Sequence, residues 1–360
     1  MNEKEDFGLK RALIAISGGV DSSAVAFLMK EAGYDCVGVT MKLHSARDCV
    51  SEGCVTTDDI EDARRVCQGL GIDYSVVDFS GDFEKYVIKN FIEAYETGAT
   101  PNPCIECNYH LKFDKLFEHA RAIGCDFIAT GHYARIEYDE KYGRRVLKKG
   151  LDESKDQSYV LFRLSRDQLE HTLFPLGELS KSEVRAIAER AGLDVSAKKD
   201  SQDICFIPDG DYAKFIENYT IKSYPCGNFV TLDGKILGQH KGIIRYTIGQ
   251  GKGLGLALSH RMYVCAKRLD TNEVVIGDNE DLFSSELWAD NVNLSALDTI
   301  DKPLRVQAKV RYKHSAQNAT AVIENGLLHI CFDEPQRAIC RGQSVVIYDG
   351  DIVLGGGTIK

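Results

Sequence analysis

The chain has 360 residues, of which 44% are hydrophobic and 27% charged, and its formal net charge is −10 at pH 7. These proportions are typical of a globular protein of two or three domains, and they exclude a disordered, collagen-like or coiled-coil chain. The apolar runs are much shorter than the roughly 20 residues of a membrane span, and the polar start, MNEKEDFGLK, does not resemble a secretory signal. We therefore expect a cytoplasmic protein with no membrane partner.

The first 130 residues alternate between short apolar strands and helices. The predicted strands cover residues 11–16, 35–41, 74–79 and 126–130, and the predicted helices cover 20–32, 58–70, 82–96 and 111–123. This alternation, with short connections, predicts an α/β fold with a doubly wound parallel sheet, whose ligands bind at the carboxyl ends of the strands. One more helix is predicted over 181–191, between a Ser180 N-cap and a Gly192 stop.

The residue composition and the pattern of the sequence change after about residue 206. Glycine and β-branched residues become more frequent, and Asp-Gly, Thr-Asn and glycine turns separate short apolar runs. These signals predict small all-β domains. We expect three domains in total, with boundaries that give residues 1–207, 208–278 and 279–360.

The segment Ser17-Gly-Gly-Val-Asp-Ser-Ser23 lies between the first predicted strand and the first predicted helix. Two glycines let the backbone approach an anion closely, and the helix N-terminus then offers free N–H groups. No Gly-Lys-Ser/Thr follows, so this is not a Walker loop. The position favours a phosphate-binding loop over an ordinary glycine turn with a serine cap.

Twelve cysteines in a reducing compartment are not expected to form a disulfide framework, and most of them lie in apolar surroundings typical of small buried residues. Cys104 and Cys107 differ, because they form a C-x-x-C pair after two prolines. Cys205 also differs, because it follows a dense polar string. A loop containing His44, Cys49 and Cys54 could be a second metal site, although an incidental grouping is the favoured interpretation.

The acidic net charge argues against a surface that is basic throughout. Two windows, residues 141–149 and 305–314, are nevertheless wholly basic. Each is compatible with a polyanion-binding surface or, equally, with a solvated strand face.

The Ser17–Ser23 segment resembles the PP-loop of the ATP pyrophosphatases, which cleave ATP to AMP and pyrophosphate while they adenylate a substrate oxygen. Further segments, in their order and spacing, resemble the signatures of the tRNA-specific 2-thiouridylases over nearly the whole chain. They are TPNPCIECNYHLKF (100–113), GHYAR (131–135), KDQSY (155–159), KDSQDICF (199–206) and VRYKH (310–314). The resemblance implies an adenine nucleotide alpha hydrolase-like PP-loop domain followed by two small all-β domains, the last a tRNA-binding β-barrel.

The resemblance also implies a reaction. ATP, with Mg²⁺, adenylates the C2 oxygen of the wobble uridine (U34) of tRNA, and a sulfur nucleophile then displaces AMP to leave 2-thiouridine. The implied partners are the tRNAs for Lys, Glu and Gln, and a cysteine desulfurase or a sulfur relay as the sulfur donor.

The site residues implied by the resemblance fall into three groups. Cys107 is the nucleophile and Cys205 carries the persulfide, and in most relatives these two can also close a disulfide. The ATP-binding residues are Ala15, Ile16, Ser17, Gly18, Gly19, Val20, Asp21, Ser22, Met41 and Gly131. The tRNA-binding residues are Asn102, Pro103, Cys104, His132, Lys155, Asp156, Gln157, Arg311, Tyr312 and Gln343. Asp21 is compatible with Mg²⁺ binding or with an N-cap-like role, and Lys199 and Asp200 flank the persulfide loop.

One position departs from the pattern of these relatives. Many of them have an aspartate, the proposed acid/base, where this chain has Cys104. With Cys107 and Cys205, Cys104 completes a set of three thiols that resembles the ligands of a [4Fe-4S] cluster in related cluster-dependent tRNA thiolases. Persulfide chemistry remains open beside the cluster, whereas zinc is disfavoured because no fourth ligand is evident.

Two other functions compete with tRNA thiolation. A PP-loop synthetase could adenylate a small-molecule acceptor, but the cysteine set and the all-β tail argue against it. A catalytically inactive RNA-binding protein is the other, and the intact SGGVDSS loop argues against that.

Overall fold

The computed structural model describes residues 10–44, 57–193 and 204–360. These residues fall into two compact units. The first unit comprises Met1–Val87, Cys104–Pro208 and Asp351–Val353, and the second comprises Ile88–Pro103, Asp209–Gly350 and Leu354–Lys360. Within the described ranges, no helix is both long enough and apolar enough to cross a membrane.

The first unit is built on a five-stranded parallel sheet. Its strands are β1 (Arg11–Ala15), β2 (Asp35–Lys42), β3 (Asp73–Asp78), β4 (Phe127–Ala129) and β7 (Thr172–Leu173). They lie in the order β3-β2-β1-β4-β7, and every pair is parallel. The predicted doubly wound sheet is therefore confirmed. The edge strand β7 is only two residues long, too short to leave a periodic signal in the sequence.

Helices connect these strands and continue into the second unit. Their bounds are α1 Val20–Glu31, α2 Thr57–Leu70, α3 Ser80–Phe83, α4 Lys89–Glu96, α5 Pro103–Cys107, α6 Leu116–Ala122, α7 Ser158–Leu161, α8 Arg166–Glu170, α9 Lys181–Arg190 and α10 Tyr212–Thr220. Two stretches are π-helical, Glu84–Ile88 and Asn108–Lys115. The stretch Glu84–Ile88 lies inside the predicted helix 82–96, whereas Asn108–Lys115 begins before the predicted helix 111–123 and overlaps its first residues.

Both faces of the parallel sheet are buried, as the unbroken apolar sequence of β1 requires. On one face Ile14 belongs to a core that includes Val25 of α1 and Val184 of α9. On the other face Leu13 belongs to a second core that includes Leu116 of α6. Helices therefore cover the sheet on both sides and leave its strand ends as the open edge.

A hairpin of β5 (Ala134–Asp139) and β6 (Arg144–Lys149) follows the parallel sheet and contains the first basic window. Because charged residues stand next to one another in β6, the sequence lacks the apolar–polar alternation that predicts a strand. Lys148 of the hairpin pairs with Ile352, and Arg135 donates to Asp351 at 2.5 Å. Three residues from near the end of the chain are therefore part of the first unit.

The second unit contains a four-stranded sheet and a closed barrel. The sheet strands are β8 (Gly227–Val230), β9 (Ile236–His240), β10 (Tyr263–Arg268) and β11 (Glu273–Gly277), in the order β10-β11-β8-β9. Short 3₁₀ helices cover Ile243–Arg245 and Glu280–Leu282. Phe229, Ile244 and Val274 are fully buried here.

The barrel strands are β12 (Phe283–Asn293), β13 (Leu304–Lys309), β14 (Gln317–Glu324), β15 (Leu327–Arg337), β16 (Ser344–Asp349) and β17 (Ile352–Ile359). They follow one another in the order β12-β15-β14-β13-β16-β17, and a further β12–β17 pairing closes the ring. The expectation that the last β region is a barrel is confirmed.

Helix α9 begins with a capping box. The Ser180 side chain accepts a hydrogen bond from the Glu183 backbone N–H, and the Glu183 carboxylate accepts one from the Ser180 backbone N–H at 2.8 Å. These bonds satisfy two donors that the first turn would otherwise leave unpaired. The predicted N-cap at Ser180 is therefore confirmed.

We expect Ser180→Ala to lower the free energy of unfolding by about 1 kcal/mol, because the substitution removes the capping acceptor. The measurement is the urea midpoint of the helical signal in circular dichroism. Ser180→Thr keeps a capping hydroxyl and should retain most of the stability. An equal loss in both variants would mean that packing at this position, not the cap, stabilises the helix.

Candidate active site

The loop Ser17–Gly19 leaves the carboxyl end of β1 and leads directly into α1. Ser22 accepts a hydrogen bond from the Ser17 backbone N–H at 3.1 Å, and its hydroxyl lies 3.1 Å from the Gly19 carbonyl oxygen, to which it donates. Gly19, the N-cap, is extended and supplies no side-chain cap. The N-cap residue of this 12-residue helix therefore offers no side-chain acceptor to the first N–H groups, an arrangement that favours anion binding.

Two glycines permit close backbone approaches around this loop. Gly18 has φ of +73°, and a Cβ there would lie 2.3 Å from the carbonyl oxygen of Asp59 in α2. A Cβ on Gly131, just after β4, would lie 3.2 Å from Cβ of Asp21. The structure thus brings the ends of β1 and β4 together at the start of α1, as expected for one binding mouth.

The Asp21 carboxylate in the first turn of α1 is held by two other side chains. Lys181 donates to its two oxygens at 2.7 and 2.8 Å, and the Tyr133 hydroxyl donates to Oδ1 at 2.8 Å. The Lys181 side chain is only 14% exposed, so solvent screens this pair weakly. The sequence predicts helix α9 but not this contact, because Lys181 is 160 residues away from Asp21.

Met41 lies near the carboxyl end of β2, the strand next to β1. Its side chain is half-buried and packs against the core that contains Leu13 and Val39. The predicted adenine contact therefore stands at the same edge of the sheet as the phosphate loop.

The C-x-x-C pair lies on α5, where Cys104 and Cys107 are one helical turn apart. Neither is in a disulfide; Cys104 is exposed and Cys107 is half-buried. Desolvation by the surrounding protein and the proximity of Cys104 raise the pKa of Cys107 to about 11, against the opposing effect of Lys112. The protein atoms around Cys104 raise the pKa of its thiol as well, although its surface is accessible. Both groups are therefore thiols, not thiolates, at neutral pH.

The π-helical stretch Asn108–Lys115 begins directly after Cys107, and such stretches are frequent at functional sites. It carries Lys112, whose charge acts on both thiols. Lys112 Nζ also lies 3.4 Å from Nε2 of His132. Lys112 is part of a segment that resembles the family, but no signal in the sequence singles it out.

A cluster of ion pairs around Glu106 holds α5 in place. Arg163 donates to Glu106 at 2.7 Å, and its guanidinium lies 3.7 Å from the centre of the Tyr109 ring. Burial acts to raise the pKa of Glu106, but His110 and Arg163 together hold it below its usual value. Glu106 is therefore a carboxylate that fixes the helix, one residue before Cys107.

Cys205 is an exposed cysteine of the first unit and is not in a disulfide. The next residue, Phe206, is buried and packs edge-on against Phe83 at 5.7 Å between ring centres. This contact anchors the chain beside the thiol. Lys199 and Asp200, predicted to flank the persulfide loop, lie outside the described residues.

The suggested second metal site cannot be assembled from the structure, since Cys49 and Cys54 lie outside the described residues. His44 is buried, and its ring centre lies 4.7 Å from that of Phe83.

His132, a predicted tRNA contact, is 7% exposed and packs between the rings of Phe113 and Phe174. Burial, with Lys112 nearby, lowers its pKa well below the usual value, so the imidazole is neutral. Its Nδ1 lies 2.6 Å from the Thr130 hydroxyl. In this structure His132 packs against the π-helical stretch that follows α5.

The segment that contains Lys155, Asp156 and Gln157 is held by hydrogen bonds within the first unit. Asp156 accepts from the backbone N–H groups of Gly150 at 3.1 Å and Ser158 at 3.0 Å. Gln157 accepts from the Tyr133 N–H at 3.0 Å. Asp156 and Gln157 thus shape the loop, and the half-buried Lys155 provides its positive charge.

In the second unit, Arg311 is turned inward. Its guanidinium donates to the carbonyl oxygens of Ile248 at 3.1 Å and Ala338 at 2.8 Å, and lies 2.7 Å from Sγ of Cys340. Tyr312 beside it is 36% exposed. A tRNA contact therefore stays a prediction for both residues, and Arg311 has an internal role here.

Gln343 donates to the backbone carbonyl of Thr100 at 2.8 Å and lies 3.3 Å from that of Pro101. These two residues precede the predicted tRNA contacts Asn102, which is half-buried, and Pro103, which is buried. Gln343 thus supports the backbone of the segment that leads into the cysteine motif.

Three family models match the chain in succession. A tRNA methyl transferase HUP domain covers residues 10–209, a tRNA methyl transferase PRC-barrel domain covers 213–278, and an aminomethyltransferase beta-barrel domain covers 284–359. Together they extend over both units of the structure.

The curated relatives are similar over their full lengths. The tRNA-specific 2-thiouridylase MnmA of Clostridioides difficile (strain 630) is 51% identical over 354 residues, which is 98% of each chain. That of Acetivibrio thermocellus is 48% identical over 358 residues, 98% of this chain and 99% of the relative.

Solved structures are more distant. The U34-tRNA thiolase NcsA from Methanococcus maripaludis with its [4Fe-4S] cluster is 19% identical, with a TM-score of 0.35 over 61% of this chain and 74% of that one. A 4-thiouridine synthetase–RNA complex with bound ATP is 17% identical, with a TM-score of 0.35 over 53% of this chain and 43% of that one. Because the identities and TM-scores of both structures are low, neither structure assigns a function to this chain. The full-length identity to the curated relatives is decisive, and the chain belongs to the family of tRNA-specific 2-thiouridylases.

Proposed function

We propose that this protein is an ATP-dependent sulfurtransferase that converts the wobble uridine of tRNA to 2-thiouridine. The observation that carries the proposal is one unit that holds both the glycine loop before α1 and the cysteines Cys104, Cys107 and Cys205, which lie outside any disulfide. Full-length similarity to 2-thiouridylases supports it. The proposed site of the reaction is the cytoplasm.

In the first step the C2 oxygen of uridine attacks the α-phosphorus of ATP, and pyrophosphate leaves. The oxygen becomes part of an adenylate, so AMP can depart where a bare carbonyl oxygen cannot. The loop at Ser17–Gly19 and the start of α1 would bind the phosphates, Met41 would lie beside adenine, and Gly131 permits the close packing. Mg²⁺ would accompany the phosphates, as is usual for ATP.

In the second step sulfur attacks C2, the bond from C2 to the adenylate oxygen breaks and AMP leaves. In the persulfide route Cys205 receives its outer sulfur from a persulfide donor, such as a cysteine desulfurase or relay protein. Cys107 then attacks Sγ of Cys205, so that the outer sulfur stays on C2 and a Cys107–Cys205 disulfide forms. An external dithiol reduces this disulfide.

The protonated state of the C-x-x-C thiols bears on this step. Because Cys107 has its pKa raised to about 11, little thiolate forms before substrate binds, and Lys112 is the nearby cation that favours ionisation. A thiol kept protonated in this way is protected from oxidation between turnovers.

A second sulfur route uses the same thiols as cluster ligands. Cys104, Cys107 and Cys205 lie outside any disulfide and are the donor type that iron–sulfur clusters take, and the first two share one helical turn. These three would hold a [4Fe-4S] cluster. When bound, it would supply an iron with an open coordination position for sulfide. The presence of Cys104 where many relatives have aspartate favours this route.

Each unit contains residues that are predicted to contact the tRNA. Residues 1–207 would carry ATP and the thiols, and the β regions 208–278 and 279–360 would contact the tRNA, with those for Lys, Glu and Gln as the expected substrates. Among the predicted contacts, Arg311 and Gln343 also make internal hydrogen bonds.

We expect Cys107→Ser to reduce 2-thiouridine formation at least about 100-fold, because a hydroxyl cannot replace the thiol as nucleophile or cluster ligand. The tRNA-dependent release of AMP or pyrophosphate should persist to some extent, because the phosphate loop is intact. The measurement is nucleoside analysis of tRNA after a single-turnover reaction.

Cys226→Ser is the matched control, since Cys226 is an exposed cysteine in the second unit. It should thiolate at the wild-type rate. Wild-type thiolation by Cys107→Ser would contradict the assignment. AMP release with a small carboxylate or amide and no tRNA would instead support a small-molecule synthetase.

We expect Lys181→Met to slow tRNA-dependent pyrophosphate release by about 10-fold or more. The substitution would leave the Asp21 carboxylate uncompensated beside the phosphates, where it repels them. Lys181→Arg retains a cation and should keep most of the rate. The same slow rate in both variants would mean that the exact ammonium geometry, and not charge neutralisation, is required.

We expect about four irons per chain, with matching acid-labile sulfide, in protein purified without oxygen, and their loss in Cys104→Ser. Cys226→Ser should retain the iron. A wild-type protein without iron that still thiolates tRNA from a persulfide donor would exclude the cluster route and leave Cys107 and Cys205 as the reacting pair.

A further inference from the structure

Four side chains share one face of the ladder between β12 and β15. Glu286 pairs with Cys331 and Trp288 pairs with His329 in the antiparallel register. Alternate residues of a strand point to the same side, and directly opposed residues are neighbours. Glu286, His329 and Cys331 therefore form a compact triangle on the barrel, with Trp288 at its edge.

The donor atoms of this triangle are close together. His329 Nε2 lies 3.0 Å from Glu286 Oε2 and 3.5 Å from Cys331 Sγ. All three donor atoms lie within 4.8 Å of one another, and the part of the chain that the structure describes contains no other such group of three. The three chemical types, carboxylate, imidazole and thiol, are the ligands that proteins offer to zinc.

These separations match those of a coordinated ion. Zinc bound tetrahedrally at the usual bond lengths separates a sulfur from a nitrogen ligand by about 3.6 Å, and a nitrogen from an oxygen ligand by about 3.3 Å. The observed 3.5 and 3.0 Å require movements of only a few tenths of an ångström. The donor atoms of Glu286 and Cys331 lie within 4.8 Å of each other, and rotation of the exposed Glu286 side chain would bring its carboxylate to the ion.

Trp288 fixes the imidazole. Its ring is parallel to that of His329, with 4.0 Å between the ring centres and 3° between the planes. The His329 side chain is 15% exposed, whereas Glu286 is 60% exposed. One ligand is thus held in place in advance, and the open side leaves room for water or a further donor. Pre-orientation of this kind lowers the entropic cost of binding.

We propose that Glu286, His329 and Cys331 form a binding site for a first-row divalent transition metal, with Zn²⁺ the preferred ion. A thiolate and an imidazole select such ions over Mg²⁺ and Ca²⁺, which prefer oxygen ligands. The site lies on the barrel of the second unit and uses none of the thiols assigned to sulfur transfer. Its occupation does not depend on the proposed function.

The structure provides its own reporter, since Trp288 is the only tryptophan in the 360 residues. Co²⁺ is paramagnetic, and bound to His329 it would quench the stacked indole. Titration of the metal-free full-length protein with Co²⁺ should therefore quench Trp288 fluorescence at micromolar metal and produce a thiolate-to-cobalt absorption band. Diamagnetic Zn²⁺, added in competition, should restore the fluorescence.

Cys331→Ser should weaken the Co²⁺ affinity at least about 10-fold and remove the part of the absorption band that follows the quenching. Cys226→Ser, which alters another exposed cysteine of the same unit, should change neither. Circular dichroism of both variants checks that the barrel is intact. Unchanged fluorescence in the wild type, or equal quenching in Cys331→Ser and the wild type, would overturn the proposal.

Discussion

The arrangement of the first unit depends on a carboxylate that stands at the positive end of a helix. Asp21 occupies the first turn of α1, where an incoming phosphate would otherwise meet only N–H groups. Lys181 and Tyr133 engage this carboxylate, so its negative charge is compensated before any nucleotide arrives. That compensation requires α9 to begin where it does, which the capping box at Ser180 ensures. It also requires Tyr133, four residues after the end of β4, to reach Asp21, and Gly131 allows the close approach of the two segments.

Helix α5, which carries Cys104 and Cys107, differs from this arrangement. Its thiols are kept neutral by the surrounding protein, its neighbour His132 is neutral for the same reason, and the charge of Lys112 acts on all three. Glu106, the charged residue next to Cys107, is itself paired with Arg163. In the proposed two-step reaction a neutral thiol is useful, because an activated base appears only after ATP has been used, and an ionised thiol before that point would react with other electrophiles.

The sequence predicts well those features that depend on residues close together along the chain. The periodicity of β1, α1 and β2 and the glycines of the Ser17–Gly19 loop predict both the sheet and the position of the phosphate site. The contact from Lys181 to Asp21 spans 160 residues, and it depends on how α9 packs against α1. The same holds for Arg311, whose basic neighbours suggest a phosphate contact but whose guanidinium is bound to backbone carbonyls. A composition-based prediction cannot distinguish a cation that faces solvent from one that closes a turn.

The short segment Asp351–Val353 limits how this protein can be divided. It belongs to the first unit, where Asp351 binds Arg135 and Ile352 extends the β5–β6 hairpin, yet the residues on both sides of it belong to the second. A fragment that ends near residue 208 would contain every thiol assigned to catalysis but would leave Arg135 without this partner and the hairpin with an open edge. The first unit therefore includes residues from near the end of the chain, and a cut near residue 208 would remove them.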